Sequence, residues 1–177
     1  LQQDFIRLLM TGESASDMSH RAGTLWLDVE ERCWSAEMLA AYGLDERAMP
    51  TLYEGTSQTG ALRAAVATDW GMATVPVAAG GGDNAAGAVA VGVVEPGQGF
   101  LSLGTSGVIF VSADRCYRNT ESAAHSFCHA LPDRWHLMSV MLSAASCLDW
   151  ATQLCGSNDV ADMIARAEHR ARLDGEE

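Results

Sequence analysis

No uninterrupted apolar run in this sequence approaches the roughly 20 residues that a membrane-spanning helix needs. The opening Leu1-Gln2-Gln3-Asp4 has neither the basic nor the apolar stretch of a secretory leader, so a soluble, cytoplasmic chain is expected. Basic residues are scarce: 11 Lys and Arg stand against 23 Asp and Glu, a formal net charge of -12. Nucleic-acid binding draws its affinity from cations that neutralise phosphates, and this balance argues against it. The five cysteines, Cys33, Cys116, Cys128, Cys147 and Cys155, are odd in number and include no Cys-x-x-Cys pair. That speaks against a disulfide framework, and reduced, mostly buried thiols are expected. An initiating Met is missing and the charged C-terminal stretch simply stops, which suggests a cut from something longer. What is there has a globular composition, 48% hydrophobic and 19% charged over 177 residues, enough for one ordinary domain or pieces of two.

Apolar spacing predicts several short helices that end at glycine. Asp4 to Met10 places Phe5, Leu8 and Leu9 on one face before Gly12. Ser35 is positioned to cap a helix carrying Met38, Leu39 and Tyr42 into Gly43, and Arg63 to Trp70 gathers Val66, Ala67 and Trp70 before Gly71. Between these, Leu52 to Gly60 reads as loop or edge structure, because Met49-Pro50 breaks any helix. Val75 to Ala79 reads as a strand, Gly80-Gly81-Gly82 as a turn, and the small residues from Ala85 to Val94 as a helix. The Glu95-Pro96-Gly97-Gln98-Gly99 cluster is the best boundary in the chain. Beyond it, Phe100 to Leu103 and Val108 to Val111 form a hairpin with a four-residue turn, Gly104 to Gly107, and a third strand lies around Trp135 to Met141. The C-terminal part is helical: Cys147, Leu148, Ala151, Leu154 and Cys155 share a face, Gly156 stops the run, and a second helix from Asn158 gives way to a charged tail beyond Arg170.

Two stretches have the residues for chemistry. Asp83 puts a carboxylate after a flexible turn and at a helix start, where it serves as an N-cap, as a rigidly aimed proton acceptor, or as both. Gly104-Thr105-Ser106-Gly107 offers amides and hydroxyls suited to a phosphate, although any tight hairpin uses such residues. The pair together, an acceptor on one side of a boundary and a phosphate cradle on the other, is what phosphoryl transfer requires. His125, His129 and His136, with Cys128 among them, invite a metal reading, but Ser126, Phe127 and Pro132-Asp133 favour a loop entering a strand, and ordinary polar packing is expected. Gly104 to Gly107 does not match the Gly-x-Ser-x-Gly of a hydrolase nucleophile elbow.

The chain resembles the carbohydrate kinases of the FGGY family. The resemblance rests on Thr11-Gly12-Glu13, on Ala15-Ser16-Asp17-Met18-Ser19 and on Gly23-Thr24-Leu25-Trp26-Leu27-Asp28. It continues through Gly80-Gly81-Gly82-Asp83-Asn84-Ala85-Ala86-Gly87-Ala88 and Leu101-Ser102-Leu103-Gly104-Thr105-Ser106-Gly107. The stretches from His125 to Pro132 and from Trp135 to Ala145 are most similar to bacterial members that act on D-xylulose. The resemblance implies an α/β fold of the ribonuclease-H-like, actin-like ATPase type, with residues 1–94 ending a first, sugar-binding lobe and 95–177 beginning a second, ATP-binding one. It also implies ATP and Mg²⁺, Asp83 as general base toward a ketose hydroxyl, Asn84 as a sugar contact, and Gly104, Thr105, Ser106 and Gly107 at the ATP phosphates. A homodimer is left open. The family's N-terminal Asp-x-Gly-Thr phosphate loop, its upstream sugar-binding residues and its Gly-rich adenosine site have no counterpart here, so the polypeptide alone is expected to lack appreciable kinase activity. A sugar-binding or regulatory remnant, and a kinase for another ketose or polyol, stay open beside this reading.

Overall fold

The structure, a computed structural model, describes residues 1–122 and 124–174. It is a mixture of short helices and strands, and no helix among the described residues is long and apolar enough to cross a membrane. The chain divides into two compact units, one of residues 1–100 and 110–138, the other of 101–109 and 139–177.

The first unit opens with helix α1 (Gln2–Thr11), closed by Gly12 in the left-handed conformation, whose N–H donates to the Leu8 carbonyl at 2.8 Å. Its apolar face lies outward: Phe5 is 60% exposed, while Arg7 is buried at 5%. The predicted face is therefore reversed, for a polar reason. Arg7 donates to the backbone carbonyls of Ala15, at 2.8 Å, and Ala79, and pairs with Asp4. Those bonds satisfy strand ends that would otherwise be orphaned, so the guanidinium takes the inner side. Burial alone would raise the Asp4 carboxyl, but the Ser16 hydroxyl and the Arg21 guanidinium outweigh it and hold it below the usual carboxylate range.

Strand β1 (Ala15–Asp17) runs into helix α2 (Met18–Arg21) and a 3-10 turn, Ala22–Thr24. Strands β2 (Leu27–Asp28) and β3 (Cys33–Trp34) pair antiparallel, and helix α3 (Ala36–Ala41) follows, with Ser35 accepting the Met38 N–H as expected of a cap. Strand β4 (Thr51–Tyr53) lies parallel to β1. Strand β5 (Gln58–Ala61) leads through helix α4 (Ala64–Trp70) to strand β6 (Pro76–Ala78), its antiparallel partner. Helix α5 spans Asp83–Ala90.

Four later strands form one sheet: β7 (Gly99–Leu103), β8 (Gly107–Ala113), β9 (His125–Cys128) and β10 (Trp135–Met141), in the order β7-β8-β10-β9. The hairpin turn has three residues rather than four, because Gly107 already belongs to β8. Strand β9 replaces the predicted loop, with Trp135 opposite Cys128 and Met138 opposite His125. One core gathers Ala22, Leu27, Trp34, Leu39 and Cys128; a second gathers Ala88, Val93 and Phe110. Each large side chain fully removed from water in these cores contributes about 1.5–3 kcal/mol. Cys128 fits the expectation of buried thiols, and burial pushes it up to about 12, but Cys33, Cys147 and Cys155 are exposed. Side chains of that size lie outside wherever the core is reached by neighbouring residues instead.

The second unit holds helices α6 (Ala145–Leu154) and α7 (Val160–Asp174). They meet where the Thr152 hydroxyl lies 3.6 Å from Met163 sulfur. Helix α7 starts two residues later than predicted, after Asp159 accepts the Asp162 N–H, and it continues through the stretch predicted as a tail as far as Asp174.

Candidate active site

The turn before α5 is built by close approach. Gly80 has φ of +80°, a left-handed conformation that favours glycine, and its N–H donates to the Gly55 carbonyl at 2.9 Å. A Cβ on Gly55 would lie 2.3 Å from the Ala130 carbonyl oxygen and 2.5 Å from that of Gly80, and one on Gly81 would lie 2.8 Å from the Ala130 methyl. No larger residue fits at either position without moving backbone or a packed methyl group.

Gly82, not Asp83, is the N-cap of α5. Asp83 is the first helical residue, in the first turn of α5, so its carboxylate does not serve as the N-cap. The side chain is exposed, and among the described residues no hydrogen bond or ion pair engages it. It keeps the favourable field of the helix N-terminus while its oxygens stay open to an incoming group.

Asp83 and its half-buried neighbour Asn84 line a pocket of about 140 Å³, completed by Ser19, His20, Gly23, Gly82, Ala85, Phe127, His136 and Met138. One wall is polar and comes from α2 and the turn of glycines. Another wall comes from β9 and β10 and holds Phe127, His136 and Met138. His136 is stacked on Phe110 with ring centroids 4.2 Å apart, and His129 meets it edge-on at 5.9 Å. Burial pulls the His136 imidazole down to about 3, helped by the neighbouring His129, so that wall is uncharged at neutral pH. Burial likewise lowers His129, whose Nδ1 accepts the Leu131 N–H at 3.1 Å. The histidines thus pack against aromatic rings.

Gly104 to Gly107 lie in the second unit. The Gly104 N–H closes the turn on the Ser106 carbonyl at 2.9 Å. The carbonyls of Thr105 and Gly104 accept from the N–H groups of Ala144 and Ala145, at 2.8 and 2.9 Å, and so fix the loop to the start of α6. The Ser106 hydroxyl reaches the Leu142 carbonyl at 3.2 Å, and Thr105 and Ser106 stand exposed at the tip. Gly107 is tightly enclosed, since a Cβ there would meet the Ala144 methyl at 3.0 Å. Asp83 and Asn84 are thus brought together with Ser19 and His20, to which the sequence assigned no role, and with His136, which it weighed for function only as a metal ligand. The signal available for the first two was Asp17, which caps α2 by accepting the His20 N–H at 2.9 Å. For His136 the sequence signal was its grouping with His125 and His129, which invited a metal reading and not that of a pocket wall.

Residues 1–90 match the FGGY family of carbohydrate kinases, N-terminal domain. The chain is 63% identical to the xylulose kinase of Escherichia coli strain K12 over 168 residues, which is 95% of this chain and 35% of that protein. Among solved structures, a sugar kinase from Brucella ovis superposes with a TM-score of 0.85 at 53% identity, over 89% of this chain and 33% of that one. The xylulose kinase of Rhodospirillum rubrum gives 0.75 at 27% identity, over 85% and 31%. The chain therefore spans about a third of the length of these relatives, and its α/β architecture is the ribonuclease-H-like, actin-like ATPase fold that they share.

Proposed function

The chain belongs to the FGGY family of carbohydrate kinases, and from that premise we propose that the enzyme containing it transfers the γ-phosphoryl group of ATP to D-xylulose, giving D-xylulose 5-phosphate. The observation that carries this reading is the open Asp83 carboxylate at the first position of α5, lining a pocket beside Asn84. Asp83 accepts the proton of the attacking ketose hydroxyl, and Asn84 holds the sugar through its side-chain amide. Gly104 to Gly107 meet the ATP phosphates with backbone amides and the exposed Thr105 and Ser106 hydroxyls. In this reading the sugar-binding lobe ends near residue 94 and the ATP-binding lobe begins at 95.

Mg²⁺ enters such reactions on the nucleotide phosphates and needs only one or two carboxylates. No group of three or more His, Cys, Asp or Glu gathers among the described residues. None of the steps above is assigned to the ion.

Product analysis tests the proposal. The complete enzyme, given ATP and a panel of ketoses and polyols, is expected to release ADP with D-xylulose at the highest kcat/KM. Preference for a different ketose or polyol would transfer the site to that substrate, and sugar binding without ADP release would make the fold a non-catalytic remnant.

A further inference from the structure

Asp17 is completely buried, and a carboxylate taken out of water is costly unless other groups replace its hydration. The neighbouring cations are committed elsewhere: Arg7 and Arg21 both pair with Asp4, at 3.1 and 2.5 Å. Asp17 relies on neutral donors. Its Oδ1 accepts the Ser19 hydroxyl at 2.6 Å and the His20 N–H at 2.9 Å, and its Oδ2 accepts the Gln3 side-chain amide.

The Ser19 hydroxyl has one proton, which it donates in the hydrogen bond to Asp17. Its lone pairs then face outward, and one of them accepts the N–H of Gly82 at 2.9 Å, across 63 residues of sequence. A hydroxyl that donates to a carboxylate is polarised and becomes the better acceptor. Gly82 directly precedes Asp83 and caps its helix. The three-glycine turn is thereby held at two points, the Gly80 N–H on the Gly55 carbonyl and the Gly82 N–H on Ser19. Only the second lies next to the carboxylate. A run of glycines has more backbone freedom than any other sequence, whereas a general base has to be held within about half an ångström of its productive position.

We propose that Asp17 and Ser19 are positioning residues for Asp83: the buried carboxylate orients the Ser19 hydroxyl, and that hydroxyl fixes the backbone from which the base projects. The inference rests on the reading of Asp83 as the general base. The contact that links this pair to the base is the Gly82 amide, although Ser19 and His20 also line the pocket, so the test has to separate positioning of Asp83 from a direct effect on the pocket.

The complete kinase with Ser19→Ala is expected to lose roughly tenfold in kcat for D-xylulose while KM for ATP is unchanged. Ser19→Thr, which keeps the hydroxyl, is expected to recover most of that loss. The decisive measurement is the same substitution in an Asp83→Asn background, where Ser19→Ala should lower kcat no further. If Ser19→Ala fails to fold, Asp17→Asn, which retains an acceptor oxygen, takes its place with an expected loss of about threefold in the same non-additive pattern. Unchanged kcat in either single variant, or a loss that multiplies with that of Asp83→Asn, would overturn the relay. Near-normal turnover by Asp83→Asn itself would instead overturn the assignment of the base.

Discussion

At the scale of single residues, what distinguishes Asp83 is how little holds it. Its carboxylate has an N-terminal helix position, solvent on its open side and no protein partner among the described residues, whereas Asp4 and Asp17 are closely engaged by neighbours. The sequence displayed Asp83 as one carboxylate after three glycines, and capping explained it as well as catalysis did until Gly82 proved to be the cap. His136 was not legible in that way, since its surroundings come from strands distant in sequence. Its burial makes a testable claim about pH. Unfolded histidine takes a proton near the ordinary value of 6.5, and folded His136 does so only near 3. A folded value depressed in this way means that stability is complete above the unfolded value and is lost as pH falls toward the folded one. Denaturant unfolding should therefore show stability dropping below pH 6.5, with His136 contributing about 1.4 kcal/mol per pH unit. His136→Phe should flatten that slope. A wild-type curve level from pH 7 to 5 would contradict the burial argument.

Among the elements, those marked by their own ends were legible. Ser35 caps α3, Gly12 and Gly71 close α1 and α4, and the turn of glycines opens α5, which runs from Asp83 to Ala90 and not from Ala85 to Val94. Elements whose orientation depends on distant carbonyls were not. The apolar spacing of α1 located a helix but not its inward side, because Arg7 is drawn in by Ala15 and Ala79. Strand β9 was hidden because its pairing with β10 supplies the reason for its extended form. Gly55 stood in a stretch without assigned chemistry, yet it is the residue against which Gly80 and Ala130 close. Gly55→Ala places a methyl where two backbone oxygens already sit, so a destabilisation of about 1–3 kcal/mol is expected, together with loss of kcat through the Gly80 turn. Calorimetry and turnover measured on the same variant check both effects. A variant of unchanged Tm would show that this approach is looser than the geometry implies.

For the molecule as a whole, the 177 residues span about a third of the length of their relatives and expose surfaces that the described residues leave uncovered. Leu101, Leu103, Met141, Leu142, Trp150 and Leu154 are all exposed in the second unit, and Phe5, Ile6, Leu9 and Trp70 in the first. So much exposed apolar surface predicts that the isolated polypeptide binds an apolar dye such as ANS, and loss of that binding in a complete enzyme would be the matching observation. The isolated chain should also release no ADP in a xylulose-dependent way, since it spans only about a third of the length of its relatives; turnover comparable to a complete enzyme would refute this. The three-glycine turn before Asp83 was readable in the sequence, but the pocket beside Asp83 was not, because its walls are assembled from α2, α5, β9 and β10.

The account turns on whether the Asp83 carboxylate removes the sugar's proton, and steady-state turnover of the complete enzyme with Asp83→Asn measures this most directly. That change keeps the side chain's size and position and removes the acceptor. The account predicts a fall in kcat of about a hundredfold or more, with Tm little altered. An Asp83→Asn enzyme that phosphorylates D-xylulose at near-normal kcat would contradict it.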